Sequence, residues 1–157
     1  MLQSVDLFLL GRVMWPGYRE YWKQALGNMS VSHNHRDYAA LAEKTKHIIF
    51  SGILQESGWK NATVYKGPAV EEIAKLKMQP GNNIQVVGGA KLAASVMEAG
   101  LVDEYRLRIN PVILGAGKSF FLEQYSRQSL ELRDIKNLAS GVVIYRYQLK
   151  KYEGHTV

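Results

Sequence analysis

A chain of 157 residues, 46% hydrophobic and 22% charged, has the size and composition of one soluble domain that buries its own core. No apolar run approaches the roughly 20 residues that span a bilayer, and no basic segment leads into a long apolar one at the start, so the expected compartment is the cytoplasm. The absence of cysteine excludes disulfides and thiolate metal sites, while a net charge of +6 favours anionic ligands.

Residues 7–10 (LFLL) are continuously apolar, which suits a strand covered on both faces. The run ends at Gly11. Pro16 suits the first turn of a helix, in which Tyr18, Trp22, Ala25 and Leu26 recur near helical spacing. Residues 27–36 are polar and turn-rich and read as a mobile loop that could serve ligand entry. Tyr38, Leu41 and Ala42 then mark a short helix before a strand over residues 47–50. Residues 52–62 show no periodicity and read as a connection to a short strand over 63–66.

Helical signals return at Pro68, with Glu71 and Glu72 in the first turn, Lys75 and Lys77 near the end, and Val70, Ile73 and Ala74 on one face. Residues 80–83 (PGNN) form a turn. A strand over 84–87 then enters a helix from Ala90, with Leu92, Ala93, Val96 and Met97 as its buried stripe and Gly100 as its stop. From Asp103 the period becomes two, with Tyr105, Leu107 and Ile109 alternating with Arg106, Arg108 and Asn110. The sheet is expected to turn antiparallel here. Leu130 and Leu132 fall out of phase with Ile135, which predicts a bulge, and the turn at residues 139–141 returns the chain as a final strand over 142–149.

Three strands therefore break off into residues suited to holding a phosphate: Gly11-Arg12, Ser51-Gly52 and Gly88-Gly89-Ala90-Lys91. Parallel strands of one sheet would bring these corners to one edge, where open α/β sheets bind ligands. Gly88-Gly89 between strand and helix lets backbone N–H groups approach a pyrophosphate, although the spacing is not that of the dinucleotide fingerprint. Singly, each corner reads as an ordinary turn or surface charge; the shared edge favours a nucleotide. Met14, Gly17 and Tyr18 follow the first corner and are candidates for the substrate side, with Tyr18 able to stack on a planar ring or to pack in the core. Trp15 is assigned to packing. Residues 115–118 (GAGK) lack the P-loop spacing and read as part of a long hairpin connection. His33 and His35 have no third ligand, so no metal site is expected, and His47 and His155 enter no Ser-His-Asp arrangement.

The segments LFLLGRVMW (7–15), HIIFS (47–51), VVGGAKLAASVMEAGLVDEYRLRINPVILGAGKSFF (86–121) and SGVVIYRY (140–147) resemble the dihydrofolate-reductase-like superfamily, in particular the branch with the reductase domain of the bifunctional riboflavin-biosynthesis deaminase/reductase. The resemblance covers residues 6–149. It implies a single α/β domain built as a three-layer sandwich, with a mostly parallel mixed sheet flanked by helices and a C-terminal antiparallel hairpin. It also implies NADPH as cofactor, with Gly11 and Arg12 at its phosphates, Ser51 at the adenosine end, and Gly88, Gly89, Ala90, Lys91 and Leu92 along the pyrophosphate. The implied activity is reduction of a C=N or C=O group in a pyrimidine- or pterin-like heterocycle, as by 5-amino-6-(5-phosphoribosylamino)uracil reductase. No general acid is assigned.

The family's first strand and its Leu-Asp-Gly-like segment have no counterpart in the few residues ahead of the strand at 7–10, which leads to two further expectations. One is association as a homodimer that covers the exposed sheet. The other is an alternative function, a catalytically silent nucleotide-binding or scaffolding protein. Nucleic-acid binding ranks last, because the basic residues are scattered among acids, and no membrane partner is expected.

Overall fold

A computed structural model describes residues 5–117, 119, 121 and 127–150. Lys118 and His155 lie outside these. In chain order the elements are β1 (Val5–Gly11), α1 (Trp15–Leu26), α2 (His33–Lys44), β2 (Lys46–Phe50), β3 (Ala62–Tyr65), α3 (Ala69–Lys77), β4 (Asn83–Gly88), α4 (Ala90–Glu98), β5 (Glu104–Ile109), β6 (Leu130–Asn137) and β7 (Val143–Leu149). They fall into two compact units, one ending at Val96 and the other beginning at Met97.

The first unit is built on a four-stranded sheet of order β3-β2-β1-β4, with every pair parallel. The chain steps outward from β1 to β2 and β3, then crosses back over to β4 on the far side of β1. Right-handed crossovers in opposite directions place helices on both faces of such a sheet. The central strand shows the result. Phe8, Leu9 and Leu10 are all fully buried although successive side chains alternate faces. Phe8 and Leu10 join Trp15 and Tyr18 of α1, Ala42 of α2, Ile49 of β2, and Trp59 and Ala62 in one core cluster.

Helix α1 starts where expected, with Pro16 in its first turn. Helix α2 begins at His33, so the turn-rich segment expected over residues 27–36 is shorter than predicted and both His33 and His35 are helical. The poor helix formers His33, Asn34 and His35 hid that first turn. Here it is closed by His35 and Arg36 N–H groups donating to the Ser32 carbonyl, and by the Ser32 hydroxyl against His35 Nδ1 at 2.7 Å. The aperiodic segment 52–62 is ordered by polar clasps. The Ser57 hydroxyl donates to the carbonyls of Trp59 and Ala62, and the Ser57 carbonyl accepts from Trp15 Nε1 at 2.8 Å and from Arg19. Trp59 Nε1 donates to Glu43 of α2 at 2.8 Å, and the Asn61 amide donates to the Glu43 carbonyl.

The second unit holds a three-stranded antiparallel sheet of order β5-β7-β6. The antiparallel strands were expected as a turned end of the parallel sheet; among the described residues they form a sheet of their own. The hairpin connection expected between β5 and β6 is also corrected, because β7 lies between them and pairs with both. β7 is the most continuously half-buried strand of the three, and two neighbours satisfy both of its backbone edges. The predicted bulge is present as a register shift between Leu132 and Asp134. The closing turn places Gly141 at φ +82°, a conformation that favours glycine.

Candidate active site

The carboxyl ends of β1, β2 and β4 lie side by side, since Gly11 is opposite Phe50 in one register and Leu10 is opposite Gly88 in the other. The predicted corners Gly11-Arg12, Ser51 and Gly88-Gly89 therefore share one sheet edge. Strand order reverses between β1 and β4, and that is where doubly wound sheets open a crevice for ligands.

At this reversal the backbones approach closely. A Cβ added to Gly11 would lie 3.3 Å from the Gly89 nitrogen, and one on Gly88 would lie 2.8 Å from Met14 Sδ. Gly88 also has φ +141°, which L side chains rarely adopt. Gly88 thus favours glycine through its backbone conformation, whereas at Gly11 a side chain would press on the Gly89 backbone. Helix α4 starts immediately after, and its first rung is the Ala93 N–H donating to the Gly89 carbonyl at 3.0 Å. The N–H groups of Ala90, Lys91 and Leu92 precede that rung and carry the positive end of the helix dipole. Leu92 itself is buried, so it contributes backbone to this corner while its side chain packs near Gly11.

On the other side of the β1 terminus is a cavity of about 490 Å³ lined by Arg12, Val13, Pro16, Ile53 and Leu54. Its size falls within the range of small-molecule sites. Arg12 is exposed and forms no ion pair with a described residue. Ser51 shapes the opposite wall, its buried hydroxyl oxygen accepting the N–H groups of Ile53 at 3.2 Å and Leu54 at 2.9 Å. Val13, Ile53 and Leu54 were missed from the sequence. The Ser-Gly start of their loop signals a turn, but which residues face Arg12 depends on the Ser57 and Trp59 clasps.

The remaining candidates divide. Met14 caps α1 and lies against Gly88 and Gly89. Gly17 is exposed, with open space where a side chain would be. Lys91 is exposed at the start of α4. Tyr18 is corrected from the substrate side to the core: it is 6% exposed, its hydroxyl lies 3.2 Å from His47 Nε2 and 3.5 Å from the Tyr38 hydroxyl, and its helical spacing from Trp22 is a packing pattern. Trp15 is packed as expected, at 1% exposure.

His47 is a second residue whose place the sequence did not reveal. It is 1% exposed within an aromatic shell of Phe8, Trp15, Tyr18 and Trp59. Burial drives its pKa down to about 4, against the weaker upward pull of the Thr45 and Asn61 backbone and the Glu43 carboxylate. Burial likewise pushes the Tyr18 hydroxyl well above its usual range, with Tyr38 adding to the effect. This pair is a neutral core contact. No group of three or more metal-ligating side chains occurs among the described residues, and no helix there is long and apolar enough to cross a membrane.

The sheet order, the glycine corner and the cation-bearing cavity define an α/β protein of the dihydrofolate-reductase-like class. The sequence pattern of the RibD C-terminal domain matches residues 30–144, and the chain belongs to that family. It is 32% identical over 142 residues to the uncharacterized protein YyaP of Bacillus subtilis, covering 90% of this chain and 73% of that one. Among solved structures it is similar to a putative riboflavin biosynthesis protein from Shewanella sp. PV-4, with TM-score 0.72 and 18% identity over 96% of this chain and 77% of that one. It is also similar to RibD of Acinetobacter baumannii, with TM-score 0.59 and 16% identity over 94% of this chain and 47% of that one. At these identities the structures speak to the fold alone.

Proposed function

We propose that this protein is an NADPH-dependent reductase acting on a C=N or C=O group of a small pyrimidine- or pterin-like heterocycle, working as a cytoplasmic homodimer. The observation that carries this reading is the meeting of the Gly88-Gly89 corner and the Arg12 cavity on either side of the β1 terminus, in a member of the RibD C-terminal domain family. The residues fit the cofactor's chemistry. A side chain at Gly88 would fill the corner that a pyrophosphate needs, and the open N–H groups at residues 90–92 suit its negative charge. Arg12 supplies a fixed cation for a phosphate, with Lys91 as a second, and Val13, Ile53 and Leu54 supply an apolar wall for a planar base.

When bound, NADPH supplies the hydride. The protein's own part is orientation and charge: backbone N–H groups and Arg12 hold the phosphates, and Met14 packs beside the glycines. Residues 11–17, 51–54 and 88–92 include no carboxylate and no histidine, so the proton is assigned to water. The test is calorimetric titration with NADPH, followed by loss of cofactor absorbance with a panel of pyrimidines, pterins and quinones. Micromolar binding and turnover of a heterocycle are expected, with Arg12→Ala weakening NADPH about tenfold, the worth of one charge-assisted contact. Absence of binding by wild type, with Arg12→Ala behaving identically, sinks the reading.

A further inference from the structure

The chain has no cysteine, so methionine supplies all of its oxidisable sulfur. Among the described methionines, Met29 and Met78 are 81% and 80% exposed, and Met97 is 6% exposed. Met14 stands between these extremes at 36%, open to a small oxidant yet packed against backbone. That packing is close. A Cβ on Gly88 would lie 2.8 Å from Met14 Sδ and 3.9 Å from Met14 Cε, so the thioether fills the space that a side chain at residue 88 would take. A Cβ on Gly89 would meet Met14 Cβ at 4.0 Å. One apolar side chain therefore lines both glycines of the corner that leads into α4.

The backbone that carries this side chain is held on both sides. The Met14 N–H donates to the Gly11 carbonyl at 3.1 Å, the Met14 carbonyl accepts from the Tyr18 N–H at 3.1 Å, and the neighbouring Trp15 is buried. A change at the sulfur is thus absorbed by the side chain alone. Adding an oxygen turns the thioether into a polar, pyramidal group that needs more room and a hydrogen-bond donor. Toward Gly88 the sulfur leaves too little space even for a methyl carbon. Turned along the sheet edge, the new oxygen is an acceptor beside the N–H groups of residues 90–92, the donors that a pyrophosphate needs. Turned to water, it draws the sulfur off Gly88 and leaves the corner unpacked.

We propose that Met14 is an oxidation site, at which peroxide unseats the glycine corner and with it cofactor binding. The thioether sulfur attacks one peroxide oxygen; the O–O bond breaks as the S–O bond forms, and the other oxygen leaves as water, taking the proton of the first. Methionine loses two electrons and peroxide gains them. The proposal rests on the NADPH reading above, although the oxidation and its effect on the fold are measurable without it. Met29 lies beyond the far end of α1 and Met78 ahead of the start of β4, so their sulfoxides report the dose without touching the corner.

The test treats the full chain with hydrogen peroxide, as wild type, as Met14→Leu and as a control with both Met29→Leu and Met78→Leu. Peptide mass spectrometry locates the sulfoxides, and NADPH affinity and Tm are measured before and after. In wild type and control, affinity should fall at least tenfold and Tm by at least about 2 °C, in step with sulfoxide at Met14. A methionine sulfoxide reductase should restore both. Met14→Leu, whatever its starting values, should change less than twofold in affinity on treatment. The proposal is overturned if Met14 stays reduced when Met29 and Met78 are fully converted, if its sulfoxide leaves NADPH affinity unchanged, or if treated Met14→Leu loses as much affinity as wild type. Untreated wild type that binds no NADPH overturns the cofactor reading instead. Melting then decides the site: a Tm lowered only in chains that keep Met14 supports it, and an unchanged Tm overturns it.

Discussion

Strands β1 and β6 stand at opposite extremes of the chain. In β1 three consecutive residues, Phe8, Leu9 and Leu10, are completely buried, whereas in β6 every residue after Leu130 is exposed. The difference follows from sheet type. Parallel strands need long crossovers, the crossovers bring helices, and helices on both faces bury the centre of the strand on both sides. What such a strand offers is its end, a backbone held rigidly enough to bring Gly11 against Gly89. An antiparallel strand needs no covering helix, and what β6 offers is its side chains. The two regions thus differ in what they present, rigid backbone at a strand terminus and side chains on a sheet face.

The contrast can be broken most severely from the β1 side. Phe8→Ala is expected to destabilise the fold by about 3–5 kcal/mol, as for large core truncations, read by chemical denaturation. The next largest effect is electrostatic. Burial holds His47 neutral to about pH 4, so from 6.5 down to 4 the unfolded chain binds a proton that the folded chain does not. Stability is therefore full above pH 6.5 and falls by about 3 kcal/mol as the pH drops to 4. His47→Phe should flatten that limb of the pH–stability curve. Gly88→Ala combines an unfavourable φ with a clash on Met14 and should cost about 2 kcal/mol together with most NADPH affinity. Gly89→Ala, whose Cβ meets Met14 at an ordinary 4.0 Å, separates the two causes and should retain more of both. Smallest of all, Ile135→Ala should change monomer stability by less than about 1 kcal/mol, since the side chain is half exposed before any association.

Much of the parallel half was legible because its signals are local. A continuous apolar run, a proline at a helix start and a double glycine before an alanine-rich helix each act over a few residues, and β1, α1, α3, β4 and α4 appear within a residue or two of their expected limits. The out-of-phase leucines announced the bulge for the same reason. The failures involve partners distant in sequence. Nothing near His33 signals a helix without Tyr38, Leu41 and the packing against α1. Nothing in residues 52–62 reveals order without Trp15 and Glu43. Tyr18 was given two readings because helical spacing cannot say which side of a helix meets a cavity.

Composition and pattern by themselves determined which segments are strands and helices, and that three strand ends carry residues able to meet a phosphate. Those properties are encoded by neighbours a few positions apart, through alternation, capping and backbone freedom. Only the tertiary structure decided that Ile53 and Leu54 face Arg12, that Tyr18 turns inward to His47, and that β7 separates β5 from β6. Each of these is a competition among many possible long-range contacts, settled by which arrangement buries the most apolar surface while leaving the fewest polar groups without partners.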